Sequence, residues 1–450
     1  MRYSILYFSL LALLIATGCS KKLDIKPTQS ISEDQVFTND ANIKAALNGA
    51  YDKVSSGSLL GGDLQLFAEL LAADGEIRWA GTYNQPDEVY GKAILTNNSY
   101  VFSTWSTAYS AINICNNIIS AINVVNEDDR DRVRGEALFL RGLMYFELVK
   151  LFGQPYSAGN TTSNLGVPLI TAPTIGNISD ANRVPRNTVE QVYTQVTDDL
   201  TEAKDLLPEE NDVYATTFTA AAVLSRVYLQ MANYEGARDE ANYVIGSGYY
   251  DMTSTYAASF NNTSNSAGDI LAMQITAQDG DNDMHLFWSI PAYGARDGDV
   301  DVLQKHINLY ESGDARLALF YIDDLDIYRS GKWKLQYRNI PCIRLAEMYL
   351  TRAECNFRLS TSVGDTPDAD INDVIRAAAG LGPTAITLNS ILLERRKELA
   401  HEGQRIHDVK RLRLSVDGFP YNDNKLVFPI PIREINAVGG NVLEQNPGYQ

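Results

Sequence analysis

Apolar residues recur at three- and four-residue spacing along much of the chain, which is the pattern of helices that bury one face. The spacing predicts helices over residues 39–55, 105–126, 131–152, 188–207, 217–230, 234–245, 341–359, 371–379 and 389–412. Thr188 and Gln191 have the spacing of a capping box at the start of one of these helices. The pattern therefore predicts a mainly α-helical fold.

Long segments rich in Gly, Asn, Ser, Asp and Pro separate some of the predicted helices. They cover residues 56–62, 75–99, 154–186 and 253–301. Loops of this length are uncommon in compact proteins and often carry function. We therefore expect any binding site in these loops rather than on the helices.

An internal repeat places a small residue three positions before a tyrosine. It occurs at Gly142–Tyr145, Ser225–Tyr228 and Ala346–Tyr349, and alanines follow the second copy at Ala237 and Ala241. This order is typical of tetratricopeptide units, in which helix pairs pack through small residues and stack on one another. The sequence thus predicts a tetratricopeptide-like scaffold that long irregular loops interrupt.

The helix predicted over residues 131–152 carries an arginine on its apolar side. At ~100° per residue, Glu136, Glu147 and Lys150 share the side expected to face water, and Arg141 falls opposite them, next to the small residue Gly142. An unpaired buried charge is very costly. We expect Arg141 to be buried at a helix–helix seam and paired with a carboxylate or with helix-end carbonyl groups.

The N-terminus has the features of an export signal. Arg2 precedes a short apolar run that ends in Ala16, Thr17 and Gly18, directly before Cys19. This predicts a lipoprotein signal peptide over residues 1–18, lipidation of Cys19, and a tether over residues 19–38. Ala16 stands where leucine is more usual, and an ordinary cleaved signal followed by a chance cysteine is the alternative.

Charge and cysteine content narrow the class of protein. The formal net charge of −18 argues against binding nucleic acid or docking on an anionic membrane through basic residues. Cys342 and Cys355 are predicted to share one helix, where they would lie ~20 Å apart and could not form a disulfide. Together with Cys115 they are expected to act as small buried hydrophobic residues.

No pattern of catalytic residues is present. The four histidines match neither a zinc-protease helix nor any cysteine–histidine metal spacing, and no nucleophile elbow or phosphate-binding loop occurs. We therefore expect no catalytic activity, no metal and no cofactor. The alternating charges from Glu394 to Arg411 are interpreted as ion pairs that join the last helix to the core.

Two runs of alternating aspartates offer carboxylate oxygens of the kind that bind calcium, so a calcium site is the alternative to the absence of a metal. The first run places aspartates at positions 279, 281 and 283, and the second at positions 297, 299 and 301. Neither run continues as an EF-hand loop, because Met284 replaces the required glycine and no glutamate ends the loop. Solvated acidic loops are the favoured interpretation.

A ligand-binding surface combines flat apolar faces with polar hydrogen-bonding groups. The loops offer both kinds of group, and the candidates are the aromatic residues Trp79, Tyr83, Tyr90, Trp288 and Tyr293 with the polar residues Asp74, Arg78, Asn84 and Asp87. We expect Trp79 and Trp288 to lie on the same side of the molecule, partly exposed, with a polar cleft between them.

Several motifs, in order, resemble those of the SusD/RagB family of outer-membrane lipoproteins from Bacteroidetes. The matching segments are CSKKLDIKP from Cys19, GEALFLRGLMYFELVKLFG from Gly135, GVPL from Gly166, the residues Val192, Tyr193, Asp199, Leu200, Ala203, Leu207 and Pro208, the pair Asp314 and Arg316, IRLAEMYLTRAE from Ile343, ERRKELAHEGQRIHDVKR from Glu394, PIPIREI from Pro429, and the closing QNPGY from Gln445. Together they span nearly everything after the signal.

The resemblance implies a SusD-like α/α fold, with residues 39–250 as the N-terminal helical region and residues 251–450 completing the same fold. It also implies a protein on the cell surface, anchored in the outer membrane by lipid, that captures an oligosaccharide for a SusC-like TonB-dependent barrel transporter. A peptide-binding member of the family, or a structural lid of the transporter with little ligand contact, are the alternatives.

Overall fold

A computed structural model describes residues 37–174, 183–280, 282–439 and 441–449. The predicted anchor at Cys19 lies outside these residues. The α-helices are α1 (Asp40–Ser55), α2 (Asp63–Leu71), α3 (Asn84–Tyr90), α4 (Ser99–Ser120), α5 (Glu127–Phe152), α6 (Val189–Leu206), α7 (Thr217–Gln230), α8 (Tyr234–Gly246), α9 (Asp283–Trp288), α10 (Gln304–Ile307), α11 (Leu345–Leu359), α12 (Leu388–Glu398), α13 (Arg405–Arg411) and α14 (Ile432–Val438). The helix predicted over residues 371–379 is present as a π-helix over Ala369–Arg376.

The long helices form a continuous stack. Helix α1 packs on α4, α4 on α5, α5 on α6, α6 on α7, α7 on α8, and α8 on α11. The capping box at the start of α6 is present, with the side chain of Thr188 accepting from the Gln191 N–H. Small residues allow close packing, because a Cβ on Gly142 would lie 3.1 Å from Leu200 Cγ. The mainly α, helix-stacked fold predicted from the sequence is confirmed.

The seam between α5 and α6 holds the arginine that the sequence marked as unusual. Arg141 is 6% exposed, and its Nε and one terminal nitrogen donate to the carboxylate of Asp199 at 2.8 and 2.6 Å. Its other terminal nitrogen donates to Asn116 Oδ1 at 2.9 Å. Burial lowers the pKa of Arg141, but the hydrogen bonds to Asp199 and the attraction of its negative charge together outweigh burial, so the pKa is raised. The predicted buried and paired Arg141 is confirmed.

The opposite side of α5 differs from the prediction. Glu136, Glu147 and Lys150 are all buried, at 1%, 7% and 7% exposure, so the expectation that they face water was wrong. Neighbouring parts of the fold cover this side, and the charges are neutralised within the helix. Lys150 donates to Glu147 at 2.8 Å, and Arg132 donates to Glu136 at 2.7 Å.

Two long predicted helices are interrupted. The segment predicted as 341–359 begins as strand β6 (Ile340–Arg344) and becomes helical only at Leu345. Cys342 therefore lies on a strand and does not share a helix with Cys355. The segment predicted as 389–412 breaks between α12 and α13, where His401 and Gly403 adopt φ of +62° and +77°. Only glycine adopts this left-handed conformation readily, so the turn stops the helix.

Buried ion pairs join the C-terminal elements, as the charge pattern predicted. Arg316, which is fully buried, bonds Asp314 at 2.7 Å and Glu394 at 2.8 Å. Arg411 bonds Glu354 at 2.7 Å. Arg344 of β6 bonds Glu398 at 2.9 Å and Glu402 at 2.7 Å, close to the turn that follows α12. This cluster links the sheet, the last helices and the helical stack.

Two small antiparallel sheets lie among the loops. One has the strand order β1 (Ile77–Trp79), β3 (Val300–Val302), β5 (Tyr328–Ser330) and β4 (Phe320–Ile322), and the other pairs β2 (Asp269–Met273) with β6.

Cys115, Cys342 and Cys355 are buried free thiols. Within the described residues, no helix combines the length and the apolar character needed to cross a membrane.

Candidate functional site

The two loops predicted to carry the binding residues meet in the four-stranded sheet. Strand β1 pairs with β3 so that Arg78 lies opposite Asp301 and Trp79 lies opposite Val300. The exposed Arg78 also donates from Nε to Asp301 Oδ2 at 2.9 Å. Segments more than two hundred residues apart are therefore held side by side, as expected for loops that share one face.

Beyond the paired strands, a tyrosine and an arginine from opposite loops form one surface feature. The guanidinium carbon of Arg296 lies 3.9 Å from the centroid of the Tyr83 ring, and one of its terminal nitrogens donates to the Tyr83 hydroxyl at 2.7 Å. The other donates to Thr82 Oγ1 at 3.1 Å, and Nε donates to Asp299 at 2.9 Å. Tyr83 keeps 38% of its surface exposed. An aromatic ring and a fixed cation are thus presented together at the surface.

A second aromatic group lies on the loop that carries Arg296. Tyr293 packs edge-to-face on Tyr321 with ring centroids 5.7 Å apart. Lys334 Nζ lies 4.2 Å from the Tyr293 centroid and 4.8 Å from that of Tyr321. Cation–π contacts of this kind orient both partners. We call the group of Thr82, Tyr83 and Arg296 the Tyr83–Arg296 surface.

The two tryptophans do not line an open cleft. Trp79 is 5% exposed and packs on Phe287 with ring centroids 5.8 Å apart. Trp288 is completely buried, with its ring 4.5 Å from that of His401. The expectation that both tryptophans are partly exposed was wrong. Both tryptophans belong to the continuous hydrophobic core that includes the helices, so burial of these large apolar side chains fixes the loops against the fold.

The other predicted residues lie around β1 and α3. Asn84 and Asp87 are exposed on the first turn of α3, and Tyr90 is half-buried at its end. Asp74 is partly covered, and its backbone carbonyl and carboxylate both face Lys305. Asn84 follows Tyr83 directly and so borders the Tyr83–Arg296 surface. The binding roles of these residues remain a prediction.

Arg296, Lys334 and Tyr321 were not among the predicted residues. Arg296 had a recognisable signal, because it is the single lysine or arginine between Asp279 and Asp301. Tyr321 and Lys334 had no such signal in the sequence. Tyr321 lies on β4 and Lys334 lies in the segment after β5, and only the folded chain brings them beside Tyr293.

The second aspartate run holds the loops together through arginines. Asp299 accepts from Arg296, and Asp301 accepts from Arg78 and from Arg329 at 2.8 Å. Asp281 of the first run lies outside the described residues. Within the part of the chain that the structure describes, no group of three or more histidine, cysteine or acidic side chains is arranged to hold a metal ion.

Comparison with known proteins adds independent findings. Residues 21–229 match the family model described as "Starch-binding associating with outer membrane", and residues 321–425 match that of the SusD family. SusD-like protein P2 of Formosa agariphila is 26% identical, and the alignment covers 100% of both chains.

Solved structures show the same architecture. A SusD superfamily protein of Bacteroides thetaiotaomicron has a TM-score of 0.79 and 26% identity, covering 90% of this chain and 99% of its own. A laminarin-binding SusD-like protein has a TM-score of 0.76 and 24% identity, covering 92% of this chain and 100% of its own. At that level of identity the second likeness shows the fold alone.

Proposed function

Because the chain belongs to the SusD/RagB family, we propose that it is a binding protein, not an enzyme, that captures an oligosaccharide at the cell surface. The Tyr83–Arg296 surface carries the proposal. It presents an exposed aromatic ring for the apolar face of a sugar and a fixed guanidinium for its hydroxyl groups. Both come from loops, while the tyrosines of the helical stack serve packing.

The chemistry of the similar proteins favours a glycan. One matching family is described as starch-binding, and one structural neighbour is named as binding laminarin. Starch and laminarin are both glucose polymers, so glucose-containing oligosaccharides are the first ligands to test. Asn84 and Asp87 provide further polar groups in the first turn of α3, directly after Tyr83, and Arg78 provides another on strand β1.

We place the protein in the outer membrane, exposed to the outside and held by lipid on Cys19. The small residues before Cys19 support this anchor. The family suggests a SusC-like TonB-dependent barrel transporter as the partner that receives the ligand. In this arrangement the helical stack is the rigid support, and the paired loops present the ligand.

Binding measured by isothermal titration calorimetry tests the proposal. Laminarin and maltose oligosaccharides are titrated into the wild type and into Tyr83→Ala and Arg296→Ala variants. Loss of the stacking ring or the guanidinium should weaken binding by about 1–3 kcal/mol, taking stacking of a base on an aromatic side chain as the nearest analogue. Tyr249→Ala is the matched control, because Tyr249 is 45% exposed in the segment after α8 and packs on Phe218 of α7.

A mixture of short peptides forms the opposing arm of the experiment. Binding of peptides but not of oligosaccharides would contradict the glycan assignment. Oligosaccharide binding that neither loop variant weakens beyond the Tyr249→Ala control would show that the Tyr83–Arg296 surface is not the site. Thermal unfolding of each variant shows whether the fold is intact.

A further inference from the structure

A separate cleft lies where the end of α1 meets α5, strand β2 and the loop before α7. Its volume is about 260 Å³, and it shares no lining residue with the Tyr83–Arg296 surface. The floor is apolar and buried, and consists of Val54, Phe139, Leu140, Leu143, Leu271, Ala272 and Met273. We call this feature the α1–β2 cleft.

The floor provides room for an apolar group. A cavity of roughly 150 Å³ lined by aliphatic and aromatic side chains is enough to bind benzene. The α1–β2 cleft is larger, yet it is smaller than the pockets that hold drug-sized ligands, which start at roughly 300 Å³. A single- or double-ring group therefore matches its size.

Two tyrosine rings form part of the rim of the cleft. Tyr51 and Tyr214 stand together with ring centroids 4.8 Å apart and planes inclined by 57°. The backbone N–H of Ala215 donates to the Tyr51 hydroxyl at 3.0 Å, which fixes the position of that ring. Tilted pairs of aromatic rings present π-faces that attract organic cations.

The charges at the rim have one sign. Asp52 and Asp279 are its charged residues among those described, and both are exposed carboxylates. Neither forms an ion pair with a lysine, arginine or histidine in the described part of the chain. Asp279 is held in place by Thr276, whose backbone N–H and hydroxyl donate to Oδ2 at 2.7 and 2.6 Å.

From this arrangement we infer that the α1–β2 cleft is a second binding site, for a small organic cation whose aromatic ring is joined by a short linker to an ammonium group. The ring enters the apolar floor, and the ammonium group stays at the rim between the carboxylates and the tyrosine faces. The site is independent of the proposed glycan surface, because its floor and rim come from different elements.

Three probes separate the contributions of ring and charge. Tryptamine carries an indole and an ammonium group, indole-3-propionate carries the same ring and linker with a carboxylate, and propylamine carries the charge alone. Calorimetry on the full mature chain should show that tryptamine binds at least about tenfold more tightly than indole-3-propionate or propylamine. A tenfold difference in affinity corresponds to about 1.4 kcal/mol of binding free energy. Equal binding of tryptamine and indole-3-propionate, or no binding of tryptamine, would overturn the inference.

Variants that remove the rim charges test whether Asp52 and Asp279 cause the preference for tryptamine. Asp52→Asn combined with Asp279→Asn keeps the shape of the rim and removes its charge, so tryptamine affinity should fall at least about tenfold and its advantage over indole-3-propionate should disappear. Asp326→Asn changes an exposed aspartate on the β4–β5 turn and serves as the control, with no change expected. Unchanged tryptamine binding in the double variant refutes the assignment.

A peptide could carry the same groups on a backbone, so acetyl-Trp-Lys-amide provides one more arm. Weaker binding of this peptide than of tryptamine supports a small ligand. A tenfold preference for the peptide overturns that assignment in favour of a polypeptide ligand. Oligosaccharide binding measured in the same double variant should equal that of the wild type, because Asp52 and Asp279 do not touch the Tyr83–Arg296 surface.

Discussion

Replacing Arg141 by alanine tests how the helical stack is stabilised. The side chains of Arg141 and Asp199 are only 8% and 3% exposed, and the guanidinium makes two hydrogen bonds to the carboxylate. Arg141→Ala leaves the Asp199 carboxylate buried without a countercharge and removes a donor to Asn116 Oδ1. Breaking a buried pair in this way typically costs about 3–5 kcal/mol, so we expect the free energy of unfolding to fall by that amount.

The same two helices contain a matched control. Arg134 of α5 bonds Glu202 of α6 at 2.7 Å, but the two side chains are 31% and 45% exposed. Exposed pairs contribute about 0–1 kcal/mol because water screens them, so Arg134→Ala should change stability little. Urea unfolding followed by far-UV circular dichroism measures both variants, and equal losses would refute the reasoning.

A double variant separates the lost attraction from the stranded charge. If the penalty comes mainly from the uncompensated Asp199 carboxylate, adding Asp199→Ala to Arg141→Ala should restore part of the lost stability. A further loss on adding Asp199→Ala would show that Asp199 contributes to stability through contacts other than this pair.

Two more outcomes follow from the sequence and the structure. Burial raises the pKa of Glu69 from 4.5 to about 7, although the Gly403 N–H donates a hydrogen bond to its carboxylate. The folded protein therefore holds this proton more tightly than the unfolded chain does, and the free energy of unfolding should fall as the pH rises from about 4.5 to about 7. At 1.36 kcal/mol per pKa unit, the loss is up to ~3 kcal/mol. Glu69→Gln should remove that fall in urea titrations across this pH range, and an unchanged slope would contradict it. Cys19→Ala should release the protein from the membrane fraction of cells, and full retention would exclude the lipid anchor.

The long helices could be predicted because each combines apolar periodicity with enough length to reveal it. The charge of Arg141 on an apolar face was informative for a physical reason, since such a residue must have a partner. Helix α2 was missed because all nine of its residues are buried, and a helix without a solvent-facing side shows no polar stripe. The break after α12 was missed because the charge pattern continues through the turn at His401 and Gly403.

The candidate site could be predicted only in part. Loop length and aromatic content indicated two segments, and the structure pairs them through β1 and β3; their role in binding remains a prediction. Which aromatic residues face outward could not be read from the sequence, because tryptophan and tyrosine suit both a small core and a binding surface. Trp79 and Trp288 are part of the main hydrophobic core, whereas Tyr83 lies at the surface and its hydroxyl accepts a hydrogen bond from Arg296.

The pairing of β1 with β3 has a consequence for the order of folding. Arg78 and Asp301 are 223 residues apart along the chain, whereas α7 and α8 are neighbours and can associate locally. Contacts between distant segments form slowly, because a long loop must close before they are made. We therefore expect the helical stack to assemble first and the Tyr83–Arg296 surface last. In the export that we propose, the Tyr83–Arg296 surface would therefore be complete only after the chain beyond β3 has crossed the membrane.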